Sequence, residues 1–149
     1  MKQQFTIRVY GICIRNGNVL LSDEIFKDIR MTKFPGGGLK FGEGTKACLQ
    51  REINEEFGLE AEILEHFYTT DYFQPAKFFE NTQLISIYYK MEIPGLPKLP
   101  ICSEPFVADN ELPQILRWMP LKDLDKNHLT FAIDQKVAGY LTGNVSNQM

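Results

Sequence analysis

Three glutamates crowd onto one short stretch of the chain. Glu52, Glu55 and Glu56 stand at positions i, i+3 and i+4 of a helix-like run, so they share one helix face. Like charges at this spacing repel each other, and the C-terminal end of a helix itself carries partial negative charge. A bound divalent cation would relieve the repulsion, because hard ions such as Mg²⁺ take carboxylate oxygens. The spacing favours a cation site, and a solvated acidic face is the alternative.

The segment just before this run is almost without side chains. Gly36, Gly37 and Gly38 allow positive φ angles and let the backbone approach a ligand closely. Their carbonyl oxygens are further candidate metal ligands, and a tight turn is the alternative interpretation. The segment lacks the Gly-Lys-Ser/Thr ending of a P-loop. The glycines and the glutamates together, rather than either alone, indicate a cation site.

A helix over residues 45–57 must position the glutamates. Leu49, Ile53 and Phe57 recur every four residues on a different face, which we expect to pack on a sheet. Thr45 is a plausible N-cap, and Gly58 suits the left-handed position that ends a helix. Within the helix, Arg51 precedes Glu55 by four residues, a spacing that lets their charges pair.

The other elements are mostly short strands. Asn16-Gly17 predicts a tight turn in a hairpin, and the polar residues 23–33 predict an exposed loop. Further predicted elements are strands at 59–74, 82–93 and 114–120, a proline-rich connection at 94–113, and a final helix at 131–141. The elements mix without a strict βαβ rhythm. We therefore predict an α/β (α+β) fold, a mixed β-sheet covered by helices, as a single domain of residues 1–149.

Composition limits the classes of partner. The net charge is −3 and the sequence pI is near 5.4, without the basic surface typical of nucleic-acid-binding proteins. Cys13, Cys48 and Cys102 are odd in number and form no CxxC pair, which favours a reducing compartment over disulfides or zinc. The N-terminus lacks the apolar centre of a signal peptide, and no run reaches transmembrane length. We expect a cytoplasmic protein with no nucleic-acid or membrane partner.

The spacing of residues 37–59 resembles the Nudix box. Gly37, five residues, Glu43, seven residues and then "REINEEFGL" from Arg51 match the pattern G-x5-E-x7-R-E-U-x-E-E-x-G-U, in which U is a bulky aliphatic residue. All nine specified positions fit. The segment "WMPLKDL", residues 118–124, resembles the usual closing segment of Nudix domains. The chain is similar to the Nudix hydrolases (MutT-like).

This resemblance implies a fold and a reaction. The Nudix fold is a mixed β-sheet sandwiched between helices, in which the box forms a loop, a helix and a second loop. The reaction is hydrolysis of a nucleoside diphosphate linked to another moiety, with release of a nucleoside monophosphate. A nucleoside triphosphate or a nucleotide sugar such as ADP-ribose would be a suitable small substrate. A homodimer is possible, because dimers are common in the family.

The resemblance also assigns site roles. Mg²⁺ (or Mn²⁺) would be held by a set of carboxylates and one glycine carbonyl: Glu52, Glu55, Glu56 and either Gly36 or Gly37. Arg51 and Glu43 would orient the helix and the loop through hydrogen bonds. The general base stays open between Glu52 and an acid of the later connection.

That connection offers Glu104, Asp109 and Glu111 as candidate acids, and we rank Glu111 first. An acidic, solvated connection is the alternative interpretation. The resemblance therefore leaves the base unassigned.

Substrate choice has weaker signals. Pro75 lies 16 residues beyond the box, near the distance seen in ADP-ribose pyrophosphatases. Tyr72, Phe73, Phe78 and Phe79 are candidates to stack on a base or ribose, with core packing as the alternative for each. A non-catalytic, nucleotide-sensing Nudix module is the alternative function, although such modules often lack box glutamates that are all present here. An mRNA-decapping activity is disfavoured by the acidic charge.

Overall fold

The computed structural model describes residues 2–106 and 114–143. Within these ranges the chain has eight strands and two α-helices. In chain order they are β1 (Gln4–Ile12), β2 (Ile14–Arg15), β3 (Asn18–Phe26), β4 (Ile29–Lys33), β5 (Gly36–Gly38), α1 (Thr45–Phe57), β6 (Glu62–Thr69), β7 (Thr82–Glu92), β8 (Gln114–Pro120) and α2 (Ala132–Thr142). The predicted α+β class is confirmed. Among the described residues, neither helix is both long enough and apolar enough to cross a membrane.

The elements divide into two compact units. The first contains β1, β5, β6, β7 and α1, and the second contains β2, β3, β4, β8 and α2. In the first unit the strand order is β5-β1-β7-β6. Strand β1 runs parallel to β7 and antiparallel to β5, and β6 runs antiparallel to β7, so the sheet is mixed as predicted. The single domain over residues 1–149 stays a prediction.

Helix α1 is fixed on the first-unit sheet by its apolar face. Cys48, Leu49 and Ile53 are fully buried, and the helix packs against β5, β1 and β6. Burying a leucine or isoleucine side chain is worth about 1.5–3 kcal/mol. The predicted face is therefore confirmed for Leu49 and Ile53, whereas Phe57, at the end of the helix, is only half-buried.

The two ends of α1 are formed differently. Gly58 has φ 67°, the left-handed conformation predicted for it, and its N–H donates to the Asn54 carbonyl. At the other end, the predicted N-cap Thr45 is wrong. The N-cap is Gly44, which has an extended backbone and no side chain that could cap the helix. The Thr45 hydroxyl is hydrogen-bonded to the Tyr89 hydroxyl at 2.6 Å instead of capping the helix. A tertiary partner thus takes the group that a local cap would use.

In the second unit, β3 pairs antiparallel with β2, β4 and β8. The turn between β2 and β3 is Asn16-Gly17, with φ 53° and 79° as a tight hairpin turn requires, so this turn is confirmed. The segment before this turn is divided into two strands. β1 ends at Ile12 and pairs within the first-unit sheet, and β2 pairs with β3.

The predicted loop at residues 23–33 is wrong. The segment forms the end of β3 and the whole of β4, joined by a turn in which Lys27 and Asp28 have φ 50° and 63°. Asp23 is only 1% exposed although it is charged. Its partner is Arg117 of β8, which the local pattern does not reveal. The polar residue Asp23 therefore belongs to a buried ion pair and not to a solvated loop.

The remaining predicted elements are mostly confirmed. Strands at 82–92 and 114–120 and a helix at 132–142 match their predictions closely. The strand predicted at 59–74 is shorter, since β6 covers 62–69. In the proline-rich connection, the described residues 94–106 contain no helix or strand longer than an isolated bridge between Ile101 and Trp118.

Candidate active site

Arg51 is the centre of a cluster of oxygen atoms in the first unit. Its Nε and Nη2 atoms donate to the two carboxylate oxygens of Glu43 at 2.9 Å and 2.7 Å. Its Nη1 donates to Glu52 at 3.0 Å and to Glu55 at 3.1 Å. Its Nη2 also donates to the Gly38 carbonyl at 3.0 Å. We call Arg51, Glu43, Glu52, Glu55 and Gly38 the Arg51 cluster; its Arg51–Glu55 pair confirms the predicted i, i+4 contact.

The loop after β5 is closed by Glu43. The Lys40 N–H donates to Glu43 Oε1 at 2.9 Å, and the Glu43 N–H donates to the Lys40 carbonyl at 3.3 Å. The hydrogen bond from Arg51, followed by that from the Lys40 N–H, lowers the pKa of Glu43 from 4.5 to about 2. The same pairing with Glu43 raises the pKa of Arg51 further above its already high value. Loop and helix are therefore joined by a pair that is ionised at neutral pH.

Two glycines of β5 permit close approach. Gly36 has φ 154°, and a Cβ at this residue would overlap the Val9 carbonyl and Tyr10 on β1. A Cβ on Gly37 would overlap the carboxylate of Glu52. A glycine at position 37 therefore lets a box carboxylate lie directly against the loop backbone. Glu52 and Gly37, which were paired in the predicted metal site, are brought together.

Cys48 is a further contact of the Arg51 cluster that the sequence analysis did not predict. Its Sγ lies 3.5 Å from the Gly38 carbonyl, and Arg51 Nη2 lies 3.8 Å from the same sulfur. Burial, followed by the charge of Glu43, raises the pKa of the Cys48 thiol to about 11. The thiol is therefore neutral at physiological pH. Its position three residues before Arg51 on α1 is the sequence signal for this contact.

The other predicted site residues have varied placements. Glu56 lies on α1, one residue after Glu55, and is partly buried. Asp109 and Glu111 lie outside the described residues. Glu104 belongs to the second unit, is exposed, and donates its N–H to Cys102 Sγ at 3.3 Å. Across residues 2–106 and 114–143, no three His, Cys, Asp or Glu side chains are arranged as a group that could hold a metal ion.

A cavity of about 780 Å³ opens in the first unit beside the start of β1. It is lined largely by aromatic and amide side chains, including Phe5, Phe73, Phe78, Phe79, Gln4 and Gln83. Pro75 and Lys77 line it as well. Phe5, Phe73 and Phe79 are 69%, 68% and 58% exposed, so they are not core residues. Exposed apolar side chains that converge in this way are typical of binding surfaces.

The family model of the NUDIX domain matches residues 5–138. The chain belongs to the Nudix family. The family assignment confirms the predicted Nudix fold and the predicted enzyme class, a Nudix pyrophosphohydrolase. A search of curated proteins found no match.

Solved Nudix structures resemble this one at low sequence identity. A NUDIX hydrolase from Nitrosomonas europaea has a TM-score of 0.68 and 17% identity, over 95% of this chain and 72% of that one. A MutT NUDIX hydrolase from Burkholderia pseudomallei has a TM-score of 0.65 and 19% identity, over 91% and 96%. An ADP-ribose pyrophosphatase from Streptococcus suis has a TM-score of 0.56 and 17% identity, over 96% and 94%. At such identities the likeness shows the fold.

Proposed function

We propose that this Nudix protein hydrolyses a nucleoside diphosphate linked to another moiety in a metal-dependent reaction, with release of a nucleoside monophosphate. The observation that carries the proposal is the Arg51 cluster. Its one arginine faces the carboxylates of Glu43, Glu52 and Glu55. One positive and three negative charges leave a net charge of −2 within the cluster. This excess of carboxylate charge suits a cation that would in turn bind an anionic diphosphate.

The chemistry of the donor set suits a hard divalent ion, which would have to draw the carboxylates together, because the described ones form no three-residue metal group. The candidate ligands are all oxygen atoms, from Glu52, Glu55 and Glu56 and from the carbonyl of Gly36 or Gly37, and such ligands suit Mg²⁺ or Mn²⁺. The absence of a Cβ on Gly37 supports this set, because it lets the Glu52 carboxylate lie beside that backbone. When bound, the ion would neutralise diphosphate oxygens and lower the pKa of a water molecule.

Arg51 and Glu43 act as positioning residues in this proposal. Arg51 holds one oxygen of Glu52 and one of Glu55 through the same Nη1, which limits the rotation of both carboxylates. Glu43 binds Arg51 on one side and the loop N–H of Lys40 on the other. Partners that orient ligands in this way are commonly worth 10- to 100-fold, as an order of magnitude, in metal affinity or activity.

The proton acceptor stays a proposal with two candidates. Glu52 lies in the cluster, where its carboxylate accepts a hydrogen bond from Arg51. Glu111, the other candidate, lies outside the described residues. Both carboxylates have the chemistry to accept a proton from an attacking water.

The aromatic cavity is the proposed binding site for the base of the substrate. Phe73, Phe78 and Phe79 supply ring faces, and the amides of Gln4 and Gln83 supply hydrogen-bonding groups. Stacking on an aromatic ring is worth about 1–3 kcal/mol per base. The substrate would be a nucleoside triphosphate or a nucleotide sugar such as ADP-ribose. Pro75, which lines this cavity, supports the second of these.

A release assay over a panel of nucleotides, with Mg²⁺ or Mn²⁺, tests the proposed function. We expect turnover of at least one diphosphate-containing compound, and we expect Glu56→Gln to abolish it without lowering the thermal unfolding midpoint. Glu60→Gln is the matched control, since it changes an exposed glutamate just beyond the helix. Full activity in Glu56→Gln would refute the metal assignment. No turnover of any compound by the wild type would favour the nucleotide-sensing module.

The base site has its own comparison within the same assay. Phe79→Ala should raise KM for the nucleotide substrate and leave hydrolysis of a base-free diphosphate ester unchanged. An equal effect on both compounds would place the base elsewhere.

A further inference from the structure

Tyr89 on β7 lies outside the Nudix box but contacts the first residue of the box helix. Its hydroxyl is 2.6 Å from Thr45 Oγ1, and either group can donate. The Lys46 ammonium lies 5.9 Å from the centre of the Tyr89 ring. The ring also makes an edge contact with His66 on the neighbouring strand β6, with centroids 5.9 Å apart. Tyr89 is therefore held in the sheet and reaches the N-terminal end of α1.

That end of α1 has little local stabilisation of its own. Its N-cap, Gly44, has no side chain to accept hydrogen bonds from the first backbone N–H groups, and the first turn contains no acidic residue. Side-chain capping and a favourable charge each typically stabilise a helix N-terminus. The contact from Tyr89 fixes this end to the sheet in their place.

The rest of α1 is held at other points. In its middle, Arg51 donates to the Gly38 carbonyl of β5. Next to it, Gln50 Nε2 donates to the carbonyl of Ala61, beyond the helix, at 3.4 Å, and Gly58 closes the last turn. Nearer the start of α1, Cys48 and Leu49 are buried against the sheet. The hydrogen bond between Thr45 and Tyr89 adds a polar contact to the sheet at the first residue of the helix.

We propose that Tyr89 is a positioning residue for the metal site, acting through Thr45 to set the orientation of α1 and so the placement of Glu52 and Glu56. This inference rests on the proposed metal-dependent function. At 1.5 Å per residue, Glu52 and Glu56 lie about 10 Å and 16 Å along the helix from Thr45. Loss of the Thr45 contact would let α1 tilt about the contacts at Gln50 and Arg51 that remain. Glu56, five residues beyond Arg51, would therefore be displaced more than Glu52, which is next to Arg51. Mg²⁺ requires nearly ideal octahedral geometry, with ligand distances accurate to about 0.2 Å.

The test compares Tyr89→Phe, Thr45→Val and the double variant with the wild type. The readouts are kcat, the nucleotide KM, the half-saturating Mg²⁺ concentration and the thermal unfolding midpoint. Tyr68→Phe is the matched control, because it removes a tyrosine hydroxyl on the same sheet that donates to Asp71 at 3.3 Å.

Each single variant should lower kcat and raise the half-saturating Mg²⁺ concentration by about 3- to 10-fold, the size of one hydrogen bond. The nucleotide KM should stay unchanged. The double variant should be no worse than either single variant, because all three lose the same bond. Multiplicative effects in the double variant, or a Mg²⁺ requirement equal to that of Tyr68→Phe, would overturn the proposal.

Titration with Mn²⁺ in the absence of nucleotide, followed by the paramagnetic resonance of free Mn²⁺, separates this inference from the proposed function. Weaker Mn²⁺ binding by Tyr89→Phe supports the positioning role even if no nucleotide is turned over. A wild type that binds Mn²⁺ with the same affinity as Tyr89→Phe contradicts the positioning role alone. A wild type that binds no Mn²⁺ refutes the metal site and the inference together.

Discussion

Arg51 in the first unit and Arg117 in the second each collect carboxylate and carbonyl oxygens, but the two clusters differ in exposure and charge. The Arg51 side chain is 21% exposed, and its partner Glu55 is 52% exposed. The side chains of Arg117 and Asp23 are 2% and 1% exposed. One arginine faces three glutamates in the first cluster, whereas one arginine faces one aspartate in the second.

The buried cluster satisfies its members almost completely. Arg117 donates to both oxygens of Asp23, at 2.7 Å and 3.2 Å, and to the Cys102 carbonyl at 2.7 Å. Asp23 also accepts from the Thr32 hydroxyl at 2.7 Å and from the Phe106 N–H at 3.1 Å. Charge and hydrogen-bonding capacity are balanced there. This pair joins β3, β4 and β8 to the start of the long connection and leaves no charge for a ligand.

The difference teaches how the same residue types separate into structural and catalytic use. A balanced pair without access to solvent stabilises the fold only while both partners are present. An excess of carboxylates that solvent can reach is costly unless a cation joins it. The Arg51 cluster has the second arrangement, so we expect its residues to affect turnover more than folding.

The largest expected effect comes from breaking the buried pair. Asp23→Ala leaves the Arg117 charge buried without its carboxylate, so the free energy of unfolding should fall by about 3–5 kcal/mol. Urea unfolding measures the loss. Adding Arg117→Met should recover much of it, because the uncompensated charge is gone. A loss below about 1 kcal/mol in Asp23→Ala would contradict the structural role.

Breaking the Arg51 cluster should lower activity more than stability. Arg51→Met frees the carboxylates of Glu52 and Glu55, so kcat with Mg²⁺ should fall by about 10- to 100-fold. The free energy of unfolding should fall by less than for Asp23→Ala, because the Arg51 and Glu43 side chains keep partial access to solvent. Steady-state kinetics and urea unfolding of the same preparation check both. Lys122→Met, at an exposed site in the second unit, is the control. If Arg51→Met lost as much unfolding free energy as is expected for Asp23→Ala, the distinction between the two clusters would be contradicted.

The smallest effect is a dependence on pH that sharpens the contrast. The pKa of Glu43 is lower in the folded state, about 2 against 4.5. Its pairing therefore stabilises the fold fully above pH 4.5 and loses this contribution as the pH falls from 4.5 towards 2. Glu43→Gln should show a flatter decline of the unfolding free energy over that interval. Urea titrations at several pH values measure it, with Glu60→Gln as the baseline. Identical slopes in Glu43→Gln and the wild type would contradict a lowered pKa of Glu43 in the folded state.

The candidate site was largely predictable because its residues are close in sequence. Glu55 stands three residues after Glu52 and four after Arg51, so helical periodicity alone shows that it meets both. The contact between the neighbours Arg51 and Glu52 does not follow from that periodicity. The end of the helix was predictable for the same reason, since Gly58 acts locally. Its beginning was not, because Thr45 is held by Tyr89, 44 residues away. The Thr45 hydroxyl makes a tertiary hydrogen bond instead of capping the helix.

The segment at 23–33 failed for a related reason. Asp23 looks like a surface residue until Arg117 is placed beside it, 94 positions along the chain. Polar residues in a strand suggest a loop when the residues they pair with are distant in the sequence. The aromatic cavity is a similar case: Phe73 and Phe79 were candidates for either core or ligand contact, and only their exposure in the structure distinguishes the two.

By itself, then, the sequence determined the family, the box helix and the identity of the carboxylates, because these depend on spacing within a few helical turns. Only the tertiary structure decided which acids are balanced and buried and which remain in excess near solvent. It also decided what holds the start of α1. These properties depend on contacts between residues far apart in the chain, and on burial, which no short-range pattern specifies.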